Sequence, residues 1–217
     1  MKHDPLRYDD IAEQLYAPIY PVIAKKIVER TEKRGGRMLD AGCGGGHLGY
    51  ALLELAPFSS VTLLDENEQA LAVAARRAEE RGLADRVEAT YTGDVCALDL
   101  GSVGGKPFDL IVSRGSMPFW ENQHAAFTNL YGLLAPGGAG YVGGGMGSTE
   151  LASSISAHMA EIRRQNSGEG PRLFDRSQSK ALGSEVYRAL FAELGAACEI
   201  IESEDEGRWI LFRKPKV

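Results

Sequence analysis

Cysteine and long apolar runs are scarce in this sequence, and each absence excludes a class of protein. The chain contains only Cys43, Cys96 and Cys198, with no CxxC spacing, which argues against a disulfide framework or a zinc site and favours a reducing compartment. No apolar run approaches the ~18 residues of a membrane span, and the N-terminal stretch MKHDPLRYDD lacks the apolar core of a signal peptide. We expect a cytoplasmic protein without a metal site or a membrane partner.

Tracts of basic charge are also missing. The formal net charge is −6, and the lysines and arginines are scattered; we expect pairs such as Arg76 with Arg77 on solvated faces. This balance argues against a nucleic-acid partner, because phosphate backbones attract clustered basic residues. The chain has 217 residues, of which 44% are hydrophobic and 25% charged. These values suit one globular domain over residues 1–217, as a monomer or a homodimer.

Short apolar segments alternate with helical patterns along most of the chain. Strands are predicted over residues 37–41, 60–64, 87–91, 108–112 and 140–142, and helices over 47–55, 68–81, 122–134, 149–164 and 179–194. This alternation predicts an α/β fold with a doubly wound parallel sheet, and the largely apolar strands suggest that helices cover both faces. Segments 198–201 and 208–213 are too close for a crossover helix, so they are predicted to form an antiparallel hairpin.

The N-terminal region, residues 1–34, has apolar residues at helical spacing. Two helical pieces interrupted at Pro18 and Pro21 are predicted to cover the sheet. Tyr16 and Tyr20 lie one turn apart on one face, where they either complete the edge of the core or close over a bound substrate.

The stretch RMLDAGCGGGHLG, residues 37–49, joins an apolar strand to a helix through a glycine-rich turn. Such a turn lets a polar cofactor approach bare backbone. Residues 44–49 satisfy the dinucleotide pattern GxGxxG, but Asp40 stands at the strand end, where a carboxylate would repel a pyrophosphate and attract an ammonium or sulfonium. His47, after the turn, is expected to face solvent or a cofactor.

Acidic residues recur at the ends of the first three predicted strands. Asp40, Asp65 and Asp94 each lie at or just beyond a strand's carboxyl end, and that edge of an open α/β sheet is where ligands bind. One such acid could be a helix cap. Three on consecutive strands are difficult to explain by capping alone.

Together these segments resemble the class I S-adenosylmethionine-dependent methyltransferases. Residues 40–46 match the signature D-x-G-x-G-x-G, residues 93–95 match the acid after strand three, and residues 134–138, LAPGG, match the end of the fourth crossover helix. The resemblance implies a Rossmann-like sheet of seven strands, mostly parallel with an antiparallel strand in the C-terminal hairpin. It also implies S-adenosyl-L-methionine as the cofactor and S-adenosyl-L-homocysteine as the product.

The resemblance assigns expected roles to individual residues. Gly42 and Gly44 would cradle the methionine moiety with Asp40 near its ammonium, Asp65 would accept the ribose hydroxyls, and Asp94 with the Val95 backbone would bind adenine. The further cofactor-binding residues expected on the same basis are Cys43, Glu66 and Ser113.

The loop over residues 113–120, SRGSMPFW, follows strand four and is expected to face the transferred methyl group. We expect Arg114 and Ser116 to be catalytic. Arg114 could pair with an anionic substrate or with the cofactor carboxylate, and a structural ion pair that holds the loop is the alternative. Trp120 is a candidate for the substrate wall, with a core position as the alternative. The loop lacks the Asn/Asp-Pro-Pro-aromatic motif of nucleic-acid amino methyltransferases, so a small-molecule substrate is expected.

Residues 148–180 are predicted to form a lid on the substrate side, in which His158 is the candidate base. The serine-containing loop, the APIYP pattern at 17–21 and the hairpin residues 206–209 resemble a subgroup of small microbial methyltransferases. Two alternatives stay open: an NAD(P)-dependent oxidoreductase that uses GxGxxG, and a non-catalytic protein that binds S-adenosylmethionine or S-adenosylhomocysteine.

Overall fold

The computed structural model describes residues 12–166, 170 and 181–216. Several predictions concern residues outside these ranges. They include the start of the N-terminal cover region, most of the predicted polar loop over 166–178, and part of the predicted lid.

A seven-stranded sheet forms the centre of the protein, with strand order β3-β2-β1-β4-β5-β7-β6. Strands β1 to β5 run parallel to one another, whereas β7 runs antiparallel to both of its neighbours, β5 and β6. The strands are β1 (Gly36–Ala41), β2 (Phe58–Asp65), β3 (Val87–Thr92), β4 (Phe108–Arg114), β5 (Leu134–Gly144), β6 (Ala197–Ser203) and β7 (Gly207–Arg213). The predicted fold class is confirmed, and the reversal of strand order between β1 and β4 opens a crevice at their carboxyl edge.

Six α-helices accompany the sheet in the described part of the chain. They are α1 (Ile19–Thr31), α2 (His47–Leu55), α3 (Glu68–Glu80), α4 (Gln123–Leu133), α5 (Thr149–Gln165) and α6 (Ser184–Glu193). A single π-helical turn, Ala12–Tyr16, precedes α1 and is called the N-terminal turn below. None of the helices among these residues is long and apolar enough to cross a membrane.

Successive residues of the central strands face two separate apolar layers. Tyr141 belongs to the layer formed with α1, α2, α3 and α5, whereas its neighbour Val142 belongs to the layer formed with α4 and α6. Because both faces are covered, β1 and β4 are buried along most of their length.

Several predicted boundaries are wrong for identifiable reasons. Pro21 does not interrupt α1, because it lies in the first turn, where a helix needs no N–H donor. Strand β5 extends well beyond 140–142: its glycine-rich start has little strand propensity but pairs with β4 from Leu134 onward. Helix α6 begins only at Ser184, after the extended Gly183.

Strand β3 also departs from the prediction that helices cover both faces of every strand. Its residues alternate between half-buried and exposed. The reason is that the connection from β3 to β4 contains only two single 3-10 turns, Val95–Ala97 and Gly101–Val103, instead of a crossover helix.

Candidate functional site

The glycine turn, residues 42–46, joins β1 to α2 at the mouth of the crevice. Gly42, Gly44 and Gly46 have φ angles of 69°, 51° and 78°, a left-handed conformation that favours glycine. The backbone N–H groups of Gly42 and Cys43 both donate to the Leu64 carbonyl, at 2.8 and 3.0 Å, which fixes the turn against β2. A Cβ on Gly44 would meet nothing within 4 Å, so this α-carbon faces open space and offers a bare surface to a ligand.

Asp40 lies beneath the turn, with only 1% of its surface exposed. Its Oδ2 accepts a hydrogen bond of 2.9 Å from the Gly49 backbone N–H inside α2. Burial raises the pKa of Asp40 to about 7, the Gly49 N–H opposes this rise, and the nearby Asp65 charge adds to it. A cation at the turn would stabilise the ionised form of this buried acid.

Asp65 ends β2 beside the turn and is half-buried. Its Oδ2 accepts from the Gly44 N–H at 2.8 Å, and its Oδ1 accepts from the Asn67 N–H at 3.0 Å. Each carboxylate oxygen has two lone pairs, so these bonds leave acceptor capacity for ligand hydroxyls. The next predicted cofactor residue, Glu66, is exposed at the rim.

Asp94 follows β3 on the same edge of the sheet, and its side chain is exposed. Its Oδ1 accepts from the Cys96 N–H at 2.8 Å, which caps the 3-10 turn that starts at Val95. Val95 is buried, and its carbonyl accepts from the Asn129 amide at 3.2 Å. The three predicted acids therefore lie along one edge of the sheet, with Asp40 in β1, Asp65 at the end of β2 and Asp94 just after β3.

Two serines, one near the end of β4 and one just after it, meet the glycine turn from the other side of the crevice. The hydroxyl of Ser113, which is fully buried, lies 2.6 Å from the hydroxyl of Ser116. Ser116 in turn donates to the Ala41 carbonyl at 3.4 Å. A Cβ on Gly42 would lie 2.5 Å from the Cβ of Ser116, so only glycine allows this close approach.

Arg114 connects three parts of the site. Its guanidinium lies over the rings of Tyr16 and Tyr20, 5.3 Å from each centroid. The same group donates to the Gly145 carbonyl just beyond β5, at 3.2 Å from Nη2. The two tyrosines are each 6% exposed. Sequence spacing alone could not indicate the contact with Gly145, which is remote in the chain.

The remaining predicted catalytic and substrate residues occupy different environments. Trp120 is 7% exposed and packs edge-to-face on Phe127 in the core, whereas its neighbour Phe119 is 50% exposed. His158 lies on the exposed side of α5, next to the buried Met159. No hydrogen bond or ion pair among the described residues joins His158 to the crevice, so its role stays a prediction.

Of the two positions expected for His47, facing solvent or facing a cofactor, the first is wrong and the second stays a prediction. Its residue surface is 7% exposed, its ring stacks on Tyr20 with centroids 4.8 Å apart, and its Nδ1 lies 3.7 Å from Oε2 of Glu13. Cys43, within the glycine turn, is half-buried, and burial raises the pKa of its thiol well above the usual value. In the described chain, no cluster of three or more histidine, cysteine or acidic residues is arranged to hold a metal ion.

Arg77 of α3 is a site residue that the sequence reasoning missed. It is 8% exposed instead of solvated, and its Nη1 donates to the Gly45 carbonyl in the glycine turn at 2.5 Å. A signal was available: Arg77 falls in the helical stripe that contains the buried Ala70 and Ala74. A charged residue in an apolar stripe needs a specific partner.

The crevice fits a cofactor with a cationic head and an adenosyl group better than it fits a dinucleotide. A bare glycine surface lies above a buried carboxyl, and two further acids line the adjacent strand ends. A pyrophosphate at this turn would be repelled by Asp40 in its ionised form.

Comparisons with known proteins agree with this geometry. A family model described as a methyltransferase domain matches residues 39–139. A solved structure from Methanococcus maripaludis, described as an inferred S-adenosyl-L-methionine-dependent methyltransferase, is 34% identical with a TM-score of 0.77. That match covers 98% of this chain and 93% of the other.

Curated relatives match over shorter shares of their length. A ubiquinone biosynthesis O-methyltransferase from Caulobacter is 34% identical over 50% of this chain and 40% of its own. An uncharacterized protein from Synechococcus is 30% identical over 81% of this chain and 39% of its own. The chain thus spans about two fifths of the length of these relatives. The match along nearly the whole of the Methanococcus protein, together with the methyltransferase-domain model, shows that the chain belongs to the class I S-adenosyl-L-methionine-dependent methyltransferases.

Proposed function

We propose that this protein transfers a methyl group from S-adenosyl-L-methionine to a small molecule bound above the loop after β4. The observation that carries the proposal is the row of Asp40, Asp65 and Asp94 along three adjacent strand ends, beside the open Gly44. In this order, the three acids match the cationic head, the ribose and the adenine amino group of the cofactor.

Each acid supplies a different interaction in this proposal. Asp40 is buried and acts through its field on the ammonium, with the glycine turn between them. Asp65 retains lone pairs for the ribose hydroxyls in addition to its bonds with Gly44 and Asn67. Asp94 is exposed and available to the adenine amino group, with Val95 offering its backbone.

S-adenosyl-L-methionine, when bound, supplies a methyl group activated by its sulfonium. The protein then has to align the acceptor and exclude water, and correct alignment alone can lower the barrier by ~7–11 kcal/mol. Ser116 and Arg114 are the residues proposed to do this, since they border the crevice from β4. Tyr16 and Tyr20, held under Arg114, would form the opposite wall.

A small-molecule acceptor is supported by the charge of the chain. A net charge of −6 without basic tracts offers little attraction for phosphate backbones. One relative is named for ubiquinone biosynthesis, so phenolic and quinol compounds belong in a first panel of acceptors.

Calorimetric titration with S-adenosyl-L-methionine, S-adenosyl-L-homocysteine and NAD⁺ tests the cofactor assignment. We expect both adenosyl ligands to bind and NAD⁺ not to bind. Asp65→Ala should weaken adenosyl binding by about 1–3 kcal/mol, the cost of poorly paired ribose hydroxyls, and Asp85→Ala, an exposed acid after α3, should not. Binding of NAD⁺ alone would contradict the proposal. Tight adenosyl binding without methyl transfer to any acceptor in the panel would instead indicate a ligand sensor.

A further inference from the structure

The three consecutive glycines of the turn cannot fix their own backbone conformation. Gly44, Gly45 and Gly46 have no side chains to pack, and glycine has access to more backbone conformations than any other residue. A cofactor that binds to the backbone needs that backbone preorganised, because ordering it on binding would reduce affinity. The shape must therefore come from groups outside the run.

The contacts that restrain the three glycines can be named. The Gly44 N–H donates to Asp65 at 2.8 Å, and the Gly46 N–H donates to the Cys43 carbonyl at 2.9 Å. The Gly45 carbonyl accepts from Arg77 Nη1 at 2.5 Å. The peptide between Gly45 and Gly46 is thus held at both of its polar ends, and Arg77 is the restraint that comes from a different helix.

Arg77 is itself held in place. Its Nη2 lies 3.0 Å from Oε2 of Glu13 in the N-terminal turn, and 8% of its surface is exposed. A cavity of about 390 Å³ flanks this ion pair, lined among others by Glu13, His47 and Arg81. Hydrogen bonds with a charged donor are about twice as strong as neutral ones.

We propose that Arg77 is a positioning residue that preorganises the glycine turn for cofactor binding through its hydrogen bond to the Gly45 carbonyl. This inference rests on the proposed function only for the identity of the ligand. The restraint on the turn exists whether or not the chain transfers methyl groups.

Arg76 offers a matched control. It is the preceding residue on the same helix, but its side chain is 66% exposed and pairs with Glu80 one turn along α3. Methionine at either position keeps a long side chain and removes the charge and the donors. Lysine at position 77 keeps a charged donor without the forked geometry of arginine.

Two measurements on the full chain test the proposal. The first is the calorimetric affinity for S-adenosyl-L-homocysteine, which Arg77→Met should weaken by about tenfold and Arg77→Lys by less, as expected for the loss of one charged hydrogen bond. The second is amide hydrogen exchange in the ligand-free protein, in which Arg77→Met should raise exchange at residues 43–47 and leave β5 unchanged. Arg76→Met should match the wild type in both.

The outcomes separate the inference from the proposed function. If Arg77→Met and Arg76→Met show equal exchange at residues 43–47, Arg77 does not position the turn and the inference is overturned. Unchanged ligand affinity alongside a uniform rise in exchange would also overturn it, because Arg77 would then only stabilise the fold. If the wild type binds no adenosyl ligand, the proposed function fails, and the local exchange result still decides the inference. Should Arg77→Met not fold, Arg77→Lys carries both measurements.

Discussion

At the scale of single residues, burial gives the acids of the crevice different properties. Asp40 is fully enclosed and has a pKa of about 7, whereas Asp94 is exposed at the same edge of the sheet. The two acids therefore serve differently: Asp40 is sensitive to nearby charge, and Asp94 is available for direct hydrogen bonding. The difference follows from position: Asp40 belongs to the central strand β1, and Asp94 follows the edge strand β3.

The pKa of Asp40 predicts a pH dependence of stability. In the unfolded chain this acid ionises near 3.8, and in the fold near 7. The folded state therefore binds more protons between these values, so the free energy of unfolding falls as pH rises through that window, by about 4 kcal/mol at most. Asp40→Asn cannot ionise and should lose this dependence.

Urea unfolding of the cofactor-free protein at pH 5 and pH 8 measures this effect. The free energy of unfolding of Asp40→Asn minus that of the wild type should be larger at pH 8 than at pH 5. The control Asp85→Asn, which changes an exposed acid, should alter the free energy of unfolding by the same small amount at both pH values. If the difference in free energy of unfolding between Asp40→Asn and the wild type is the same at both pH values, burial does not raise the pKa of Asp40.

Two glycines of the turn have different reasons for lacking a side chain, which predicts different results for alanine. Gly42→Ala should destabilise the fold by about 2–4 kcal/mol, from left-handed backbone strain and collision with Ser116. Gly44→Ala meets no neighbour and should cost only about 1–2 kcal/mol of strain, but it should weaken adenosyl binding.

Thermal unfolding and calorimetry on the two variants separate these effects. Adding Ser116→Gly to Gly42→Ala removes the colliding side chain and should restore part of the stability. If Gly44→Ala binds S-adenosyl-L-homocysteine as tightly as the wild type, the ligand does not approach that α-carbon.

At the scale of elements, Arg114 connects β4, the N-terminal turn and the chain beyond β5. It contacts two tyrosine rings and the Gly145 carbonyl. Arg114→Ala should lower the free energy of unfolding by about 1–2 kcal/mol through the lost cation–π contacts, which corresponds to a Tm lower by about 2–4 °C per kcal/mol.

The matched control for Arg114 is Arg188→Ala on α6, where the arginine forms an ion pair with Glu185 three residues earlier on an exposed surface. That change should alter Tm very little. Equal Tm values for the two variants would mean that Arg114 does not hold the N-terminal turn, and its role would then lie with the substrate.

Much of the element order could be predicted from the sequence, because apolar strands and amphipathic helices have distinct periods. The extent of β5 could not be predicted, since its first half is LAPGGAG and its extended conformation depends on pairing with β4 and on the Lys214 carbonyl, which accepts from Gly137. The start of α6 was similarly hidden, because a helical pattern does not show where tertiary contacts end it.

The candidate site, like the fold, could be predicted only in part from the sequence. Asp40, Asp65 and Asp94 were visible because parallel strands bring their carboxyl ends to one edge. The buried position of His47 was not, because its partner Tyr20 comes from another element. The apolar stripe of α3 indicates that Arg77 is buried, but it does not identify the Gly45 carbonyl as its partner. Contacts between a helix face and a turn depend on three-dimensional packing that local sequence does not encode.

At the scale of the whole molecule, ion pairs connect the cover helix α1 to the β6–β7 hairpin. Lys26 lies 2.6 Å from Asp205, and Arg30 lies 2.5 Å from Glu206, both in the turn between β6 and β7. Asp205 also accepts from the Thr149 N–H at the start of α5. The hairpin turn therefore contacts both α1 and the start of α5.

Glu206→Gln should test this connection, because Glu206 is largely buried and Arg30 would lose the nearer of its two acidic partners, keeping only Glu199 at 3.4 Å. We expect a loss of about 1 kcal/mol, between the values typical of exposed and of buried ion pairs. Glu204→Gln, an exposed residue of the same turn, is the control for thermal unfolding. A Tm for Glu206→Gln equal to that of Glu204→Gln would show that the ion pair does not stabilise the cover helix.

The central claim is that three acids and a bare glycine turn hold an adenosyl cofactor with its sulfur toward the loop after β4. A crystal structure with S-adenosyl-L-homocysteine tests it most directly. The predicted result places the ribose hydroxyls on Asp65, the adenine beside Asp94 and Val95, and the sulfur facing residues 113–120. An adenosyl group bound elsewhere, with Asp65 and Asp94 free of it, would contradict the claim.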